Sequence, residues 1–287
     1  MPASCTGTFS NDWDPMLTPE TLRTVRAVGL DVDGTLSHDD HVIPDRTIQA
    51  LRRVSELGLP VFLLTGRARR NVLELAREIG LQNLVVSNNG AITFDPVTDD
   101  NVVLRPMDHE MVRGIVDLGH ELGMDVTWWT EHEIYVEHHG PISDMLTDLN
   151  ETDILIGDSS ALPDDVTKVM LFGTEELLDT HRSAVLEKFP EAARSMYCFY
   201  EFVAEDSNKW NALADLLERY DIAPEAVLGM GDGGNDVPFL SRIGVPVAMG
   251  NARDSVKAVA KAVAPSNAED GVAVVLEQLA AAHETAA

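Results

Sequence analysis

Three short apolar runs, at residues 25–30, 59–64 and 84–86, are separated by two amphipathic stretches, and this rhythm limits the fold more than any other feature. The runs have strand length and show no polar alternation, as expected of strands covered on both faces. Between the first two, Pro44 opens a helix that places Ile48, Leu51, Val54 and Leu57 on one face, and Gly58 closes it. Between the second and third, Val72, Leu75 and Ile79 keep helical step and Gly80 ends the segment. The turn Ser87-Asn88-Asn89-Gly90 then precedes a strand over 91–94. Strand, helix, strand, helix, strand predicts a parallel sheet wound with helices.

The rhythm lapses after Asp95 and returns near Asn208. In between, the pattern predicts helices over 108–122 and 174–189, strands over 126–130, 133–137 and 168–172, and a long alternating run over 195–204. Antiparallel pairing with helices on one face suits this segment. After it come a helix over 208–220, a strand over 227–230, a glycine-rich turn, a short helix, a strand over 245–249 and two closing helices. The expected organisation is one α/β domain built from residues 23–95 and 196–287, interrupted by an α+β insert at 96–195. Residues 1–22 read as a polar extension. An insert of about a hundred residues is an ordinary domain size.

Composition narrows the partners. Hydrophobic residues make up 45% of the 287, enough for a real core, which excludes disorder throughout. The formal net charge of −27 repels polyanions, so nucleic acid and acidic membrane surfaces are excluded as partners. Two cysteines, Cys5 and Cys198, cannot build a disulfide framework. No run approaches the roughly 20 apolar residues needed to span a bilayer, and the first twenty residues lack a signal-peptide pattern. The expectation is a cytoplasmic protein, a monomer or weak homodimer. An anionic substrate would need positive charge at its own site.

Four motifs carry chemistry. Asp31-Val32-Asp33-Gly34-Thr35-Leu36 follows the first strand directly, and residues i and i+2 of extended chain share a side, so both carboxylates can face one site. Adjacent carboxylates repel, which a divalent cation or a shared proton relieves. Thr65-Gly66-Arg67 follows the second strand; a hydroxyl beside a glycine suits phosphate oxygens, and it equally suits a helix N-cap. Lys209, one of only five lysines, opens the helix where the α/β rhythm resumes. Gly231-Asp232-Gly233-Gly234-Asn235-Asp236 follows the 227–230 strand; acidic residues inside this turn argue for a metal and against a dinucleotide. Three of the four lie just past strand ends, where open α/β sheets bind ligands.

These motifs, in this order, resemble those of the haloacid dehalogenase superfamily of phosphatases. Asn88-Asn89-Gly90-Ala91, Val247-Ala248-Met249-Gly250-Asn251-Ala252, Asn267 and Glu269-Asp270-Gly271-Val272-Ala273 resemble its Cof-like branch, which carries a large (type IIB) cap between the second and third motifs. Trp210 departs from the branch, which usually has glycine after the lysine. The resemblance covers about residues 25–280 and implies a Rossmann-like three-layer parallel sheet core with an inserted α+β cap. It implies Asp31 as nucleophile, Asp33 as acid and base, and Mg²⁺ held by Asp31, Asp33 and Asp232. Thr65, Gly66, Lys209 and Asn235 would hold the phosphoryl group of a small phosphate ester, with Asp236 orienting Lys209 or metal-bound waters.

Substrate choice is expected in the insert, where Trp128, Trp129, His132 and Tyr135 cluster; aromatic faces with polar edges suit sugar rings, though one strand could equally bury such residues as core. His138 and His139 lack spaced partners and read as surface histidines. The leading reading is a phosphatase for small phosphorylated metabolites, sugar phosphates foremost. A phosphomutase or phosphotransferase using the same aspartate, and a non-catalytic binding protein, are the alternatives.

Overall fold

The computed structural model describes residues 17–150 and 154–285. Its central sheet has five parallel strands: β1 (Ala27–Leu30), β2 (Val61–Leu63), and, from the far end of the chain, β12 (Val227–Gly231), β13 (Val245–Ala248) and β14 (Ala262–Val263). Their order is β14-β13-β12-β1-β2, so β1 lies between its neighbour in sequence and a strand from the carboxyl-terminal part. Every residue of β1, β2, β12 and β13 is buried, which is why these runs carry no polar alternation.

The third expected strand departs from the parallel pattern. β3 (Val85–Ser87) touches the central sheet through a single parallel bridge, Leu64–Val86. It then pairs antiparallel with β4 (Ile92–Phe94), which pairs with β5 (Asn101–Leu104). Between β3 and β4 the chain turns through Asn88 and Asn89, both at positive φ (47° and 54°).

The expected extension at 1–22 is corrected in part: residues 1–16, with Cys5, lie outside the described residues. Thr18 caps a short helix, Pro19–Arg23, by accepting the Thr21 N–H. Leu17 and Leu22 are buried in the main core, because this helix packs against the last one, Gly271–Glu284.

The middle of the chain builds a separate six-stranded sheet, in the order β10-β11-β9-β6-β7-β8. Its strands are β6 (Asp125–Trp129), β7 (Ile134–Val136), β8 (Ile154–Ile156), β9 (Lys168–Phe172), β10 (Ala193–Met196) and β11 (Phe199–Val203). All pairs are antiparallel except β7 with β8. One face packs Trp128, Leu171 and Phe202 with Val112 and Ile115 of the His109–Glu121 helix. The other gathers Trp129, Met170, Phe172 and Phe199.

Sheet membership shifts the expected boundaries at 95/96 and 195/196. β5 stays with the core meander, while β11 belongs to the six-stranded sheet through its full pairing with β9. The expected helix over 174–189 is two helices, Glu175–Thr180 and Arg182–Lys188, divided at His181, whose backbone leaves the helical region (φ −99°, ψ 6°). The Pro141–Asn150 helix and β8 were not anticipated.

Candidate active site

The motif loops converge past the carboxyl ends of β1, β2 and β12. Asp31 is the first residue beyond β1, and its N–H donates to the Met230 carbonyl of β12 at 3.1 Å. Gly34 turns the chain at φ +77°, and a Cβ there would lie 2.6 Å from an Asp232 carboxylate oxygen. Only glycine lets the first and fourth motifs approach so closely. The Thr35 hydroxyl donates to Asp232 Oδ1 at 3.3 Å. The carboxyl-terminal motif fixes the same loop. The Asn251 amide donates to the Gly34 carbonyl at 2.8 Å, and the Asn267 amide to the Ser37 carbonyl at 3.0 Å.

Beneath the loops lies a buried charge cluster. Asn208 caps the Lys209–Arg219 helix, accepting the Asn211 N–H at 2.9 Å, and so fixes Lys209 at its first position. The lysine is 1% exposed, and its ammonium donates to Asp31 Oδ1 at 2.5 Å and Asp236 Oδ1 at 2.6 Å. The other Asp236 oxygen accepts the backbone N–H groups of Asp232 (3.0 Å) and Gly233 (2.9 Å). Burial works against the Lys209 ammonium, but Asp236 and Asp31 outweigh it and its pKa is raised. Burial, reinforced by Asp236, pushes Asp31 well above the usual carboxylate range, with Lys209 offsetting only part. Asp232 is raised for the same two reasons. Trp210 is half-buried against the core with Arg242 over its ring, and it leaves Lys209 in place.

Asp31, Asp232 and Asp236 each offer an oxygen within 4.8 Å of one another. Both Asp236 oxygens already have partners, so Asp31, which meets Lys209 through Oδ1, and Asp232, which meets Thr35 through Oδ1, are the pair that could offer oxygens to an ion. Two carboxylates that burial makes costly as anions fit a hard, oxygen-preferring divalent cation.

Above the cluster, a cavity of about 710 Å³ runs between the loops and the six-stranded sheet. Of the residues expected at a site, Asp31, Asp33, Gly66, Asp232, Asn235 and Trp129 line it. Thr65, Lys209 and Asp236 are buried behind the wall. The Thr65 hydroxyl accepts the Arg67 N–H at 3.1 Å, an intraloop role like the N-cap alternative.

The expected specificity cluster is divided. Trp128 stacks on Tyr135, its cross-strand partner, with ring centres 5.6 Å apart and planes 6° from parallel, on the helix-covered face away from the cavity. His132 projects from the β6–β7 turn, 63% exposed, beside Glu131 at 3.0 Å. Only Trp129 reaches the cavity, because consecutive strand residues face opposite sides. His138 is exposed and pairs with Asp125 at 3.4 Å.

Several cavity residues were not anticipated. Arg67 forks onto Asp33, with Nη2 at 2.8 Å and Nε at 3.1 Å from Oδ1, and His41 lies 3.7 Å from the same oxygen. From the insert, Lys168, Arg194 and Glu201 contribute. Burial lowers the pKa of Lys168, while Glu201, 3.3 Å away, favours its charge. Four carboxylates (Asp31, Asp33, Glu201, Asp232) thus face four cations (Arg67, Lys168, Arg194, Arg253) in the cavity wall. Arg67 was legible as the residue after Thr65-Gly66; Lys168 and Glu201 gave no signal beyond their charge.

A family model for haloacid dehalogenase-like hydrolases matches residues 28–276. The 5-amino-6-(5-phospho-D-ribitylamino)uracil phosphatase YitU of Bacillus subtilis is 28% identical over 261 residues, covering 88% of this chain and 96% of that one. A haloacid dehalogenase-like hydrolase from Bacteroides thetaiotaomicron superposes with a TM-score of 0.81 at 27% identity, covering 89% of this chain and 99% of the other. The subclass IIB sugar phosphatase BT4131 gives 0.75 at 26%, covering 88% and 98%.

Proposed function

Because this chain belongs to the haloacid dehalogenase-like hydrolase family, in its Cof-like branch, and is a phosphatase, we propose that it hydrolyses small phosphorylated metabolites, sugar phosphates foremost, through an aspartyl phosphate on Asp31 with Mg²⁺ bound. The observation that carries this reading is the placement of Asp31. It is a buried carboxylate beside the Lys209 ammonium at 2.5 Å and opens on the cavity.

In the first step, an Asp31 oxygen bonds to phosphorus as the ester P–O bond breaks, and Asp33 protonates the departing oxygen. In the second, Asp33 takes a proton from water, which attacks phosphorus and releases inorganic phosphate and Asp31. Lys209 fixes the nucleophile and supplies charge as the transition state spreads its own. The Gly66 and Asn235 loops hold phosphoryl oxygens, with Thr65 shaping the Gly66 turn. Asp31, Asp232 and the backbone carbonyl of Asp33 would hold the Mg²⁺, which when bound offsets the carboxylates and the phosphate dianion. Asp236 orients Lys209.

The unit carrying β6–β11 acts as a cap that selects the organic part of the ester. Sugar phosphates lead the reading because Trp129 lines the cavity together with polar Arg194 and Glu201, and because one similar protein is named a sugar phosphatase and another a phosphatase of a phosphoribityl compound. Release of inorganic phosphate from a panel of phosphorylated metabolites and one aryl phosphate tests this, with and without chelator. Turnover of sugar phosphates that vanishes on chelation and returns with Mg²⁺ is expected. Full activity after exhaustive chelation would overturn the metal assignment, and indifference to the sugar phosphates would overturn the substrate class.

A further inference from the structure

The cap wall of the cavity carries a cation with no task so far. Lys168 opens β9, and its side chain is 3% exposed. Its ammonium donates to the backbone carbonyl of Gly66 at 3.1 Å and lies 3.3 Å from Glu201 Oε1. It also sits 3.4 Å from the centre of the Trp129 ring. An ammonium has three N–H bonds, and these three partners occupy them, so Lys168 is not built as a substrate anchor.

What it holds is one peptide of the phosphate loop. The Gly66 carbonyl is bound to Lys168, and the N–H of the same peptide, on Arg67, donates to Thr65 Oγ1 at 3.1 Å. With both ends fixed the peptide cannot rotate, and the side chain it carries forks onto Asp33.

The arrangement is costly to build. A buried ammonium needs a compensating charge, and Glu201 supplies it while accepting the Asn89 amide at 2.9 Å. Asn89 and its neighbour Asn88, which donates to Thr167 Oγ1 at 2.8 Å, both hold left-handed backbone that disfavours L-residues. A seam meant only to join two units would be cheaper if apolar, and strain of this kind gathers at working sites.

We propose that Lys168 is a positioning residue for phosphoryl transfer: from the cap it fixes the Gly66–Arg67 peptide, and so makes the working shape of the phosphate loop depend on the cap's seat against the core. This rests on the phosphatase reading above.

Lys168→Met keeps the stem and removes the ammonium, but it strands Glu201 in a buried place. The double variant Lys168→Met/Glu201→Gln removes that stranded charge, and Lys168→Gln/Glu201→Gln restores a neutral donor toward Gly66. Steady-state kinetics on a sugar phosphate and an aryl phosphate, with melting temperatures alongside, separate the roles. In the folded methionine double variant, kcat should fall about 10²-fold by the same factor for both esters, as expected of a misplaced reacting group. KM should move less than about threefold. The glutamine variant should recover about a tenth of wild-type kcat or more.

Recovery of kcat to near wild type in the methionine double variant would overturn the proposal, leaving Lys168 only the neutraliser of Glu201. A rise in KM at constant kcat, or a changed ranking of the two esters, would also overturn it by making Lys168 a substrate contact. Wild-type protein idle on both esters, and on the wider panel, would overturn the phosphatase reading and this one with it.

Discussion

Asp31 occupies a place where a carboxylate is expensive. Burial and Asp236 raise its pKa despite Lys209. A carboxyl whose pKa is raised by folding contributes stability below its unfolded value, about 3.9, and loses it as pH climbs through the folded value. Above that folded value the metal-free protein therefore carries a destabilised anion. Asp31→Asn keeps the shape and removes the charge. Metal-free Asp31→Asn should melt above metal-free wild type, while turnover falls by about four to six orders of magnitude. Saturating Mg²⁺, at a hundred times its Kd, should stabilise wild type by about 2.7 kcal/mol and the variant by less. Scanning calorimetry with and without the ion measures both, and a variant melting below wild type would mean that Lys209 already compensates Asp31.

At the scale of elements, the period of a strand decides which aromatic residue can read a substrate. Trp128 and Trp129 are neighbours in β6, yet one stacks on Tyr135 under a helix and the other meets Lys168 at the cavity. Trp128→Leu should lower the melting temperature, at a cost of about 2–5 kcal/mol, and leave the ranking of esters alone. Trp129→Leu should reorder it. kcat/KM for four or five esters in each variant decides the matter; identical rankings in both would remove Trp129 from substrate choice. The same contrast explains what the sequence could yield. Asp31, Thr65 and Asp232 were legible because each ends a buried apolar run, a purely local pattern. Which face of β6 meets the site depends on where the six-stranded sheet docks, and no local pattern records that. Lys168 meets Gly66 only through that docking. The break at His181 had no glycine or proline to announce it.

For the molecule as a whole, the net charge of −27 opposes the approach of any phosphate dianion. The screening length shrinks from about 30 Å at 0.01 M salt to about 8 Å at 0.15 M, so added salt should weaken the repulsion of distant carboxylates before the attraction of cavity cations. At fixed Mg²⁺, kcat/KM for a dianionic ester should rise as NaCl increases from low concentration, while kcat stays level. A monotonic fall would show that Arg67, Lys168, Arg194 and Arg253 dominate the approach. The interleaving of the central sheet has a consequence of another kind, for the order in which the chain comes off the ribosome. β1 lies between β2 and β12, with Ala27 opposite Val227. At synthesis rates of 5–20 residues per second, the inner edge of β1 waits roughly ten to forty seconds for its partner. The strands of the insert, contiguous from β6 to β11, emerge during that interval and can pair at once. The nascent chain is therefore expected to carry the six-stranded sheet beside an open, wholly apolar edge of β1, which stays uncovered until β12 arrives.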